Sequence, residues 1–300
     1  MYLIILLIVF GFLFYASVTF RLIVKNPHLV AAYGFTDILQ WFRFKLYNLA
    51  PMGKIKAYCA DFGGGKTLSA VTEVVDFYNR YHNRKFFDVK AGKWITQKVL
   101  VVSNVDFTQI PFQRLTGLSQ LVDLQKYNRK LDDDNGTRTC CIFLIDEASS
   151  QLNSRNFSKN FNPAVIGALV TCRHYNTSLI YTSQVFTHVD KLLRDDTMLV
   201  IQCRKLWRFM IHSVYDAHVL EYASDPTIIQ PLYRTGFFIR NRHFAAYDTL
   251  ALVDNLSHSA ASGDMLSEAE VLQNRQQLLA DESLPLSTKG RKRFRSRRKV

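Results

Sequence analysis

The stretch Lys54–Leu68, Lys-Ile-Lys-Ala-Tyr-Cys-Ala-Asp-Phe-Gly-Gly-Gly-Lys-Thr-Leu, decides the fold of this 300-residue chain. It begins as a strand and continues into three consecutive glycines, which let backbone N–H groups turn inward around an anion. A lysine then supplies a charge for terminal phosphates, and a threonine hydroxyl can ligate Mg²⁺. The stretch predicts a nucleoside triphosphate site, with ATP and Mg²⁺ as ligands. The expected binding residues are Gly63, Gly64, Gly65, Lys66 and Thr67.

A helix is predicted directly after the glycines. Its N-terminal N–H groups and its dipole would face the phosphates, and strand, glycine loop and helix together are the context that makes the motif a site. Ala60 stands where the first glycine of Gly-x-x-x-x-Gly-Lys-Thr is expected, and the sequence offers no reason for this departure. The apolar positions with helical spacing are Leu68, Val71, Val74, Val75 and Tyr78.

A second apolar strand, Cys140–Ile145, ends in two acids. Open α/β sheets place their chemistry at the carboxyl ends of strands. We expect Asp146 to hold Mg²⁺, directly or through water, and Glu147 to orient and deprotonate the attacking water. A strand can also end in acids simply because it reaches solvent. A third strand, predicted before Thr182-Ser183-Gln184, would place Gln184 where it senses the γ-phosphate or holds the lytic water.

The first 25 residues predict a transmembrane anchor. Residues 2–20 hold no charge, and as one helix they would nearly span a hydrocarbon core of about 30 Å. A cleaved signal peptide is the alternative, although no basic stretch precedes the apolar run. By the positive-inside rule, the basic residues that follow place the bulk of the chain in the cytoplasm. These residues are Arg21, Lys25, Arg43, Lys45, Lys54 and Lys56.

The remaining chain divides into three predicted parts. Residues 26–52 form a helix that lies in the membrane interface or links to the next domain, 53–254 form the P-loop ATPase domain, and 255–300 form a flexible basic tail. The net charge is +13, and the tail after residue 288 supplies eight positive charges. Its partner is DNA or anionic lipid. The five cysteines have no regular spacing, which predicts buried thiols and not disulfides.

Two further segments carry expectations. Basic and aromatic residues alternate at Arg155, Phe157, Lys159 and Phe161, a pattern that suits a strand of nucleic acid or an ordinary surface loop with two anchoring rings. Alternation over 198–203 and 207–212 predicts a hairpin that extends the sheet, with Arg204 and Lys205 at its turn.

An ordered set of residues resembles the signature of the zonular occludens toxin family, which includes the assembly ATPases of filamentous phages within the FtsK and HerA superfamily of DNA-pumping motors. The resemblance covers about half of the chain. The residues are Lys66 and Thr67, Asp146-Glu147-Ala148, Arg155, Arg173-His174, Thr182-Ser183-Gln184 and Arg194. Asn176 stands where the family commonly has a glycine, a mild change because Asn tolerates the left-handed conformation.

The resemblance implies a RecA-like P-loop core with a mainly parallel α/β sheet, a homo-oligomeric ring, taken as a hexamer, and ATP-driven movement of DNA in genome packaging or extrusion. Other phage or secretion assembly proteins would be partners. The location would be the inner membrane of a bacterial host, with virion association as an alternative. Arg173 is the first candidate to reach a neighbouring subunit's nucleotide, and Arg194 the second, unless either pairs with a local acid. The alternative function is a nucleotide-gated scaffold that assembles a membrane complex without pumping DNA.

Overall fold

The computed structural model describes residues 2–151, 163–223, 225 and 228–248. The predicted nucleic-acid segment around Arg155 and the basic tail lie outside these residues. The helices are α1 (Tyr2–Ala16), α2 (Val18–Lys25), α3 (Pro27–Arg43), α4 (Lys66–Tyr81), α5 (Ser119–Asn135), α6 (Ala148–Gln151), α7 (Pro163–Val170), α8 (Lys191–Asp195), α9 (Ala217–Tyr222) and α10 (Asn241–Phe244). The strands are β1 (Ile55–Cys59), β2 (Arg84–Asp88), β3 (Lys93–Ser103), β4 (Asp106–Phe107), β5 (Gln113–Arg114), β6 (Thr137–Ile145), β7 (Thr177–Ser183), β8 (Leu199–Leu206), β9 (Phe209–Asp216), β10 (Tyr233–Phe238) and β11 (Tyr247–Asp248).

The chain forms two compact units. The first joins Met1–Leu49 to Lys85–Trp94, and the second joins Ala50–Arg84 to the described residues from Ile95 onward. Within the first unit, the backbone N–H of Phe87 donates to the carbonyl of Phe44 at 2.9 Å. The rings of the same two residues stack at 4.8 Å between centroids. The two segments of this unit are therefore in contact through Phe44, which follows α3, and Phe87 on β2.

The prediction of a single-pass inner-membrane protein is wrong. Among the described residues, no helix is both long enough and apolar enough to cross a membrane. The uncharged run at the N-terminus is not one helix, because α1 ends at Ala16 and Ser17 takes an extended backbone with φ −117° and ψ 117°. The Ser17 hydroxyl accepts from the N–H of Phe20 at 3.2 Å and caps α2. The 15 residues of α1 rise only about 22 Å.

The second unit is built on a mainly parallel sheet, as predicted. Its strand order is β10-β9-β8-β1-β7-β6-β3. The strands from β8 to β3 are parallel, whereas β8, β9 and β10 pair antiparallel. Helix α4 packs on one face of the sheet, and α5 and α7 pack on the other. Because both faces are covered, β7 is buried along its whole length and β6 is buried from Thr139 onward.

The strand order decides which loops meet. Strand β7 lies between β1 and β6, with Cys59 opposite Ser183 and Ile145 opposite Tyr181. The loops after these three parallel strands therefore leave the same edge of the sheet, which we call the carboxyl edge. All five cysteines are buried thiols, as predicted.

The hairpin is present, but its turn differs from the prediction. Arg204 and Lys205 continue β8 and pair with Ile211 and Met210. The turn lies at Trp207 and the next residue, and Trp207 has a φ of 54°. A basic pair resembles a turn in the sequence, whereas here it occupies a strand that extends beyond the end of β1.

Candidate active site

The glycine loop requires glycine for two different reasons. Gly63 and Gly65 have positive φ angles of 73° and 90°, which L side chains rarely adopt. Gly64 is required for a steric reason instead, because a Cβ there would lie 2.7 Å from the Cβ of Ala60. At Gly65 a Cβ would also lie 2.2 Å from Cε of Met210. The three glycines therefore form a tight loop without side chains, which we call the cradle.

Ala60 now has a structural explanation. It is buried and is absent from the residues with positive φ, so its backbone makes no demand for glycine. Its methyl group occupies the space that a side chain at Gly64 would need. The departure from the usual pattern is therefore accommodated by the glycine four residues later.

Helix α4 begins at the cradle with its N-terminus uncapped by a side chain. Gly65 is the N-cap residue and provides no side-chain hydrogen bond. The first-turn N–H groups and the helix dipole form a site of positive potential at this end. Lys66 is 8% exposed, and among the described residues its ammonium forms no ion pair; it lies 5.8 Å from the centroid of the Phe62 ring. The cradle therefore holds a buried cation that has no ion-pair partner among the described residues, although Lys66 and Asp146 attract each other electrostatically.

The predicted metal ligands are in direct contact. The hydroxyl of Thr67 donates to Asp146 at 2.8 Å, across the gap between the start of α4 and the end of β6. Asp146 is 3% exposed, and burial raises the pKa of its carboxyl group, against the lowering effect of hydrogen bonds from Thr182 and Thr67. The charged carboxylate is thus held where a cation would compensate it.

Thr182 connects the acids that follow β6 to the neighbouring strand. Its hydroxyl donates to Asp146 Oδ1 at 2.5 Å and accepts from the backbone N–H of Glu147 at 2.9 Å. Glu147 has a φ of 53°, a conformation that is strained for a side chain with a Cβ and is often found at functional sites. The sequence predicted a polar end to β7, but not that Thr182 is the residue that fixes Asp146.

Asn104 is a site residue that the sequence analysis missed. Its side-chain oxygen accepts from the N–H of Asp146 at 2.8 Å, and its amide nitrogen donates to the carbonyl of the same residue at 3.0 Å. These two bonds hold the backbone of Asp146 from the direction of β3. The only sequence signal was a polar residue directly after the apolar strand, at the same edge as the acids.

The other predicted residues are placed at different distances from the cradle. Gln184 is half-buried directly after β7, at the carboxyl edge. Arg173 is exposed at the opposite edge, since a Cβ at Gly53, just before β1, would lie 2.5 Å from its Cα. Arg173 does not meet the cradle of its own chain. Arg194 pairs with Glu221 at 2.5 Å, which is the local pairing that the sequence left open.

The residues fit a nucleotide and a hard cation. Three features suit the binding of phosphate groups: a loop whose glycines have positive φ angles or close neighbours, a helix N-terminus without a side-chain cap, and a lysine that forms no ion pair within the described part of the chain. The hydroxyl of Thr67 and the carboxylate of Asp146 are oxygen ligands, and Mg²⁺ is usually held by one or two such groups together with substrate phosphates. The arrangement therefore suits Mg²⁺ bound with a nucleoside triphosphate.

Comparisons with known proteins give structural neighbours only. No family model matches the chain, and no curated protein matches it. The N-terminal domain of zonular occludens toxin from Neisseria meningitidis is 17% identical, with a TM-score of 0.43, 66% of this chain covered and 100% of that chain. The DNA-packaging ATPase B204 from Sulfolobus Turreted Icosahedral Virus is 12% identical, with a TM-score of 0.39 and coverage of 64% and 100%.

A third neighbour comprises ATPases 2 and 3 of EssC from Geobacillus thermodenitrificans, 9% identical, with a TM-score of 0.33 and coverage of 77% of this chain and 45% of that one. The first neighbour bears the name of the family that the sequence resembles. Because every TM-score here is below 0.5, the strand order and the contacts above carry the assignment of a P-loop NTPase core.

Proposed function

We propose that this chain is an ATPase with a RecA-like core that couples ATP hydrolysis to the movement of DNA, in genome packaging or extrusion. The observation that carries the proposal is the contact between Thr67 and Asp146 beside the glycine cradle. It joins a phosphate-binding loop, which follows β1, to an acid at the end of the parallel strand β6 on the far side of β7, with Glu147 next to it. The membrane anchor is not part of the proposal.

Each residue has a distinct role in this proposal. The glycine loop, Lys66 and the N-terminus of α4 bind and orient the phosphates. Thr67 and Asp146 hold Mg²⁺, which supplies neutralisation of charge on the phosphate oxygens. Glu147 accepts the proton of the attacking water, and Gln184 orients that water.

The structural position of Arg173 restricts its role. Arg173 lies at the edge of the sheet opposite the cradle, so in this proposal it serves the nucleotide of a neighbouring subunit, in the ring that the family resemblance implies. Loss of DNA-stimulated hydrolysis in Arg173→Ala, restored by mixing with a Lys66→Ala chain, would support a shared site. A rate equal to that of the unmodified chain would remove Arg173 from the proposal.

The function is tested by the rate of ATP hydrolysis with no DNA, with single-stranded DNA and with duplex DNA. We expect stimulation by DNA, loss of hydrolysis with retained ATP binding in Glu147→Gln, and loss of ATP binding in Lys66→Ala. Hydrolysis that is indifferent to DNA would contradict the motor and favour the nucleotide-gated scaffold. Absence of ATP binding in the unmodified chain would contradict both.

A further inference from the structure

Part of one face of the antiparallel end of the sheet, beyond the packed Val200 and Tyr215, has no covering layer among the described residues. It belongs to β8, β9 and β10, where side chains alternate between two faces. We call it the aromatic sheet face, and we define it as Arg204, Leu206, Phe209, Ile211, Arg234 and Phe238. All six are exposed, and the register pairs Leu206 with Phe209 and Phe209 with Phe238. They therefore form one continuous surface.

Three rings meet on this surface at the hairpin. Phe209 and Phe238 are 5.4 Å apart between centroids, and Trp207, in the turn, lies 5.9 Å from each of them. Trp207 is 70% exposed. Folding normally removes such rings from water, so three of them exposed together indicate a binding surface.

The two charged side chains of the aromatic sheet face, Arg204 and Arg234, are both basic. Residues 199–215 and 228–246 contain six Lys or Arg side chains and no Asp or Glu. Among the described residues, neither Arg204 nor Arg234 forms an ion pair. The partner that complements this surface is a polyanion that also presents flat apolar groups. Nucleic acid combines phosphates with bases, and only an unpaired strand offers its base faces for stacking.

The surface is connected to the phosphate cradle through one strand. Phe209 points outward, whereas the next residue, Met210, is buried on the other face. The Cε of Met210 is the atom that a Cβ at Gly65 would approach to 2.2 Å. A base stacked on Phe209 would therefore press on the strand that supports the loop.

We propose that the aromatic sheet face, with Trp207, binds single-stranded DNA by base stacking and phosphate contact. This deepens the proposed function, on which it rests for its role, by naming the form of DNA and the place where it binds. It consists of residues other than those of the Arg155 segment and the basic tail, where the sequence pattern predicted contact with nucleic acid.

The test uses the full chain and a fluorescein-labelled 30-nucleotide oligo-dT, with a labelled 30-base-pair duplex as the comparison, both measured by anisotropy at fixed salt. We expect Phe209→Ala to weaken oligo-dT binding about ten-fold and the double variant with Phe238→Ala to weaken it further. Trp94→Ala, which removes a ring that is 52% exposed elsewhere, is the matched control and should leave binding unchanged. Hydrolysis without DNA should be unaffected in all three.

Arg204→Ala tests the charge. It should weaken binding and lower the slope of log affinity against log salt by about one, whereas Lys130→Ala, an exposed cation on α5, should not. Unchanged oligo-dT affinity in the ring variants would overturn the inference, as would a changed oligomeric state with unchanged affinity. Ring-dependent oligo-dT binding without DNA-stimulated hydrolysis would support the inference and contradict the proposed function. DNA stimulation that survives the ring variants would overturn the inference alone.

Discussion

The carboxyl edge of the sheet and the opposite edge, which we call the amino edge, hold polar clusters that differ in how many of their charged groups have partners. At the amino edge, Arg138 donates to Asn176 Oδ1 at 2.7 and 3.1 Å, to Gln97 Oε1 at 2.7 Å and to the carbonyl of Ala50 at 3.3 Å. At the carboxyl edge, Lys66 forms no ion pair among the described residues, although it is almost fully buried. The first cluster is complete without a ligand. The second one needs a ligand.

This difference separates stability from function. A guanidinium that neighbouring oxygens already satisfy stabilises the fold and has no capacity left for an external group. Buried charges that remain uncompensated cost stability, and they persist where a substrate later compensates them. Substitutions at the amino edge should therefore change unfolding, and substitutions at the carboxyl edge should change hydrolysis.

The largest expected effect is on stability at the amino edge. Arg138→Ala removes hydrogen bonds from a charged donor to Asn176, Gln97 and a backbone carbonyl, which should destabilise the fold by about 3 kcal/mol. Denaturant unfolding measures this value, and Lys130→Ala is the control. The rate of hydrolysis per folded molecule should stay unchanged. A fall in that rate at full folding would show that the two edges are coupled.

The sequence predicted those features of the carboxyl edge that depend on residues close together in the chain. The glycine loop, the acids after β6 and Gln184 after β7 follow from short-range patterns, since each depends on one strand and its next residues. Asn176 was recognised as a residue for a left-handed position, and its φ is 50°. Their roles in hydrolysis remain predictions.

The sequence could not predict contacts that depend on strand order, or the helix break at Ser17, which caps α2. The role of Asn104 exists only because β3 lies beside β6. The position of Arg173 follows from the direction of β7, and the explanation of Ala60 follows from its distance to Gly64. At the N-terminus, Ser17 ends α1 in a run of apolar residues where no charge, proline or long polar segment marks the break.

The second prediction concerns the two hydrogen bonds between the side chain of Asn104 and the backbone of Asp146. Asn104→Ala removes both hydrogen bonds and should lower the rate of hydrolysis about ten-fold, or about 1.4 kcal/mol, because the carboxylate is no longer fixed for Mg²⁺. Nucleotide binding should change much less, since the cradle stays intact. Separate measurements of turnover and of ATP binding test this, with Asn135→Ala as the control. Equal losses in both would indicate general unfolding of the edge.

The third prediction is a gain of stability at the carboxyl edge. Burial raises the pKa of Asp146, so the native state binds this proton more tightly than the unfolded state. Stability is therefore lost as pH rises from about 3.8 through the shifted value. Asp146→Asn should raise stability at pH 7.5 and abolish hydrolysis. Asp133→Asn, at an exposed position, is the control. Destabilisation by Asp146→Asn would contradict the inference that the buried charge of Asp146 lowers the stability of the fold.

The smallest expected effect on stability concerns the contact between α4 and His212 on β9. His212 Nε2 lies 2.9 Å from the hydroxyl of Ser69 on α4, between the rings of Tyr58 and Phe237, and burial lowers its pKa although Glu73 acts in the opposite direction. The unfolded state then binds the proton more tightly, so the stability from this group is present above about pH 6.5 and is lost as pH falls from there. The loss at pH 6 should stay below about 1 kcal/mol. Unfolding curves at pH 8 and pH 6 measure it, and His212→Gln should remove this component. An unchanged pH dependence in His212→Gln would place the sensitivity elsewhere, and the support of α4 would then rest on its apolar contacts.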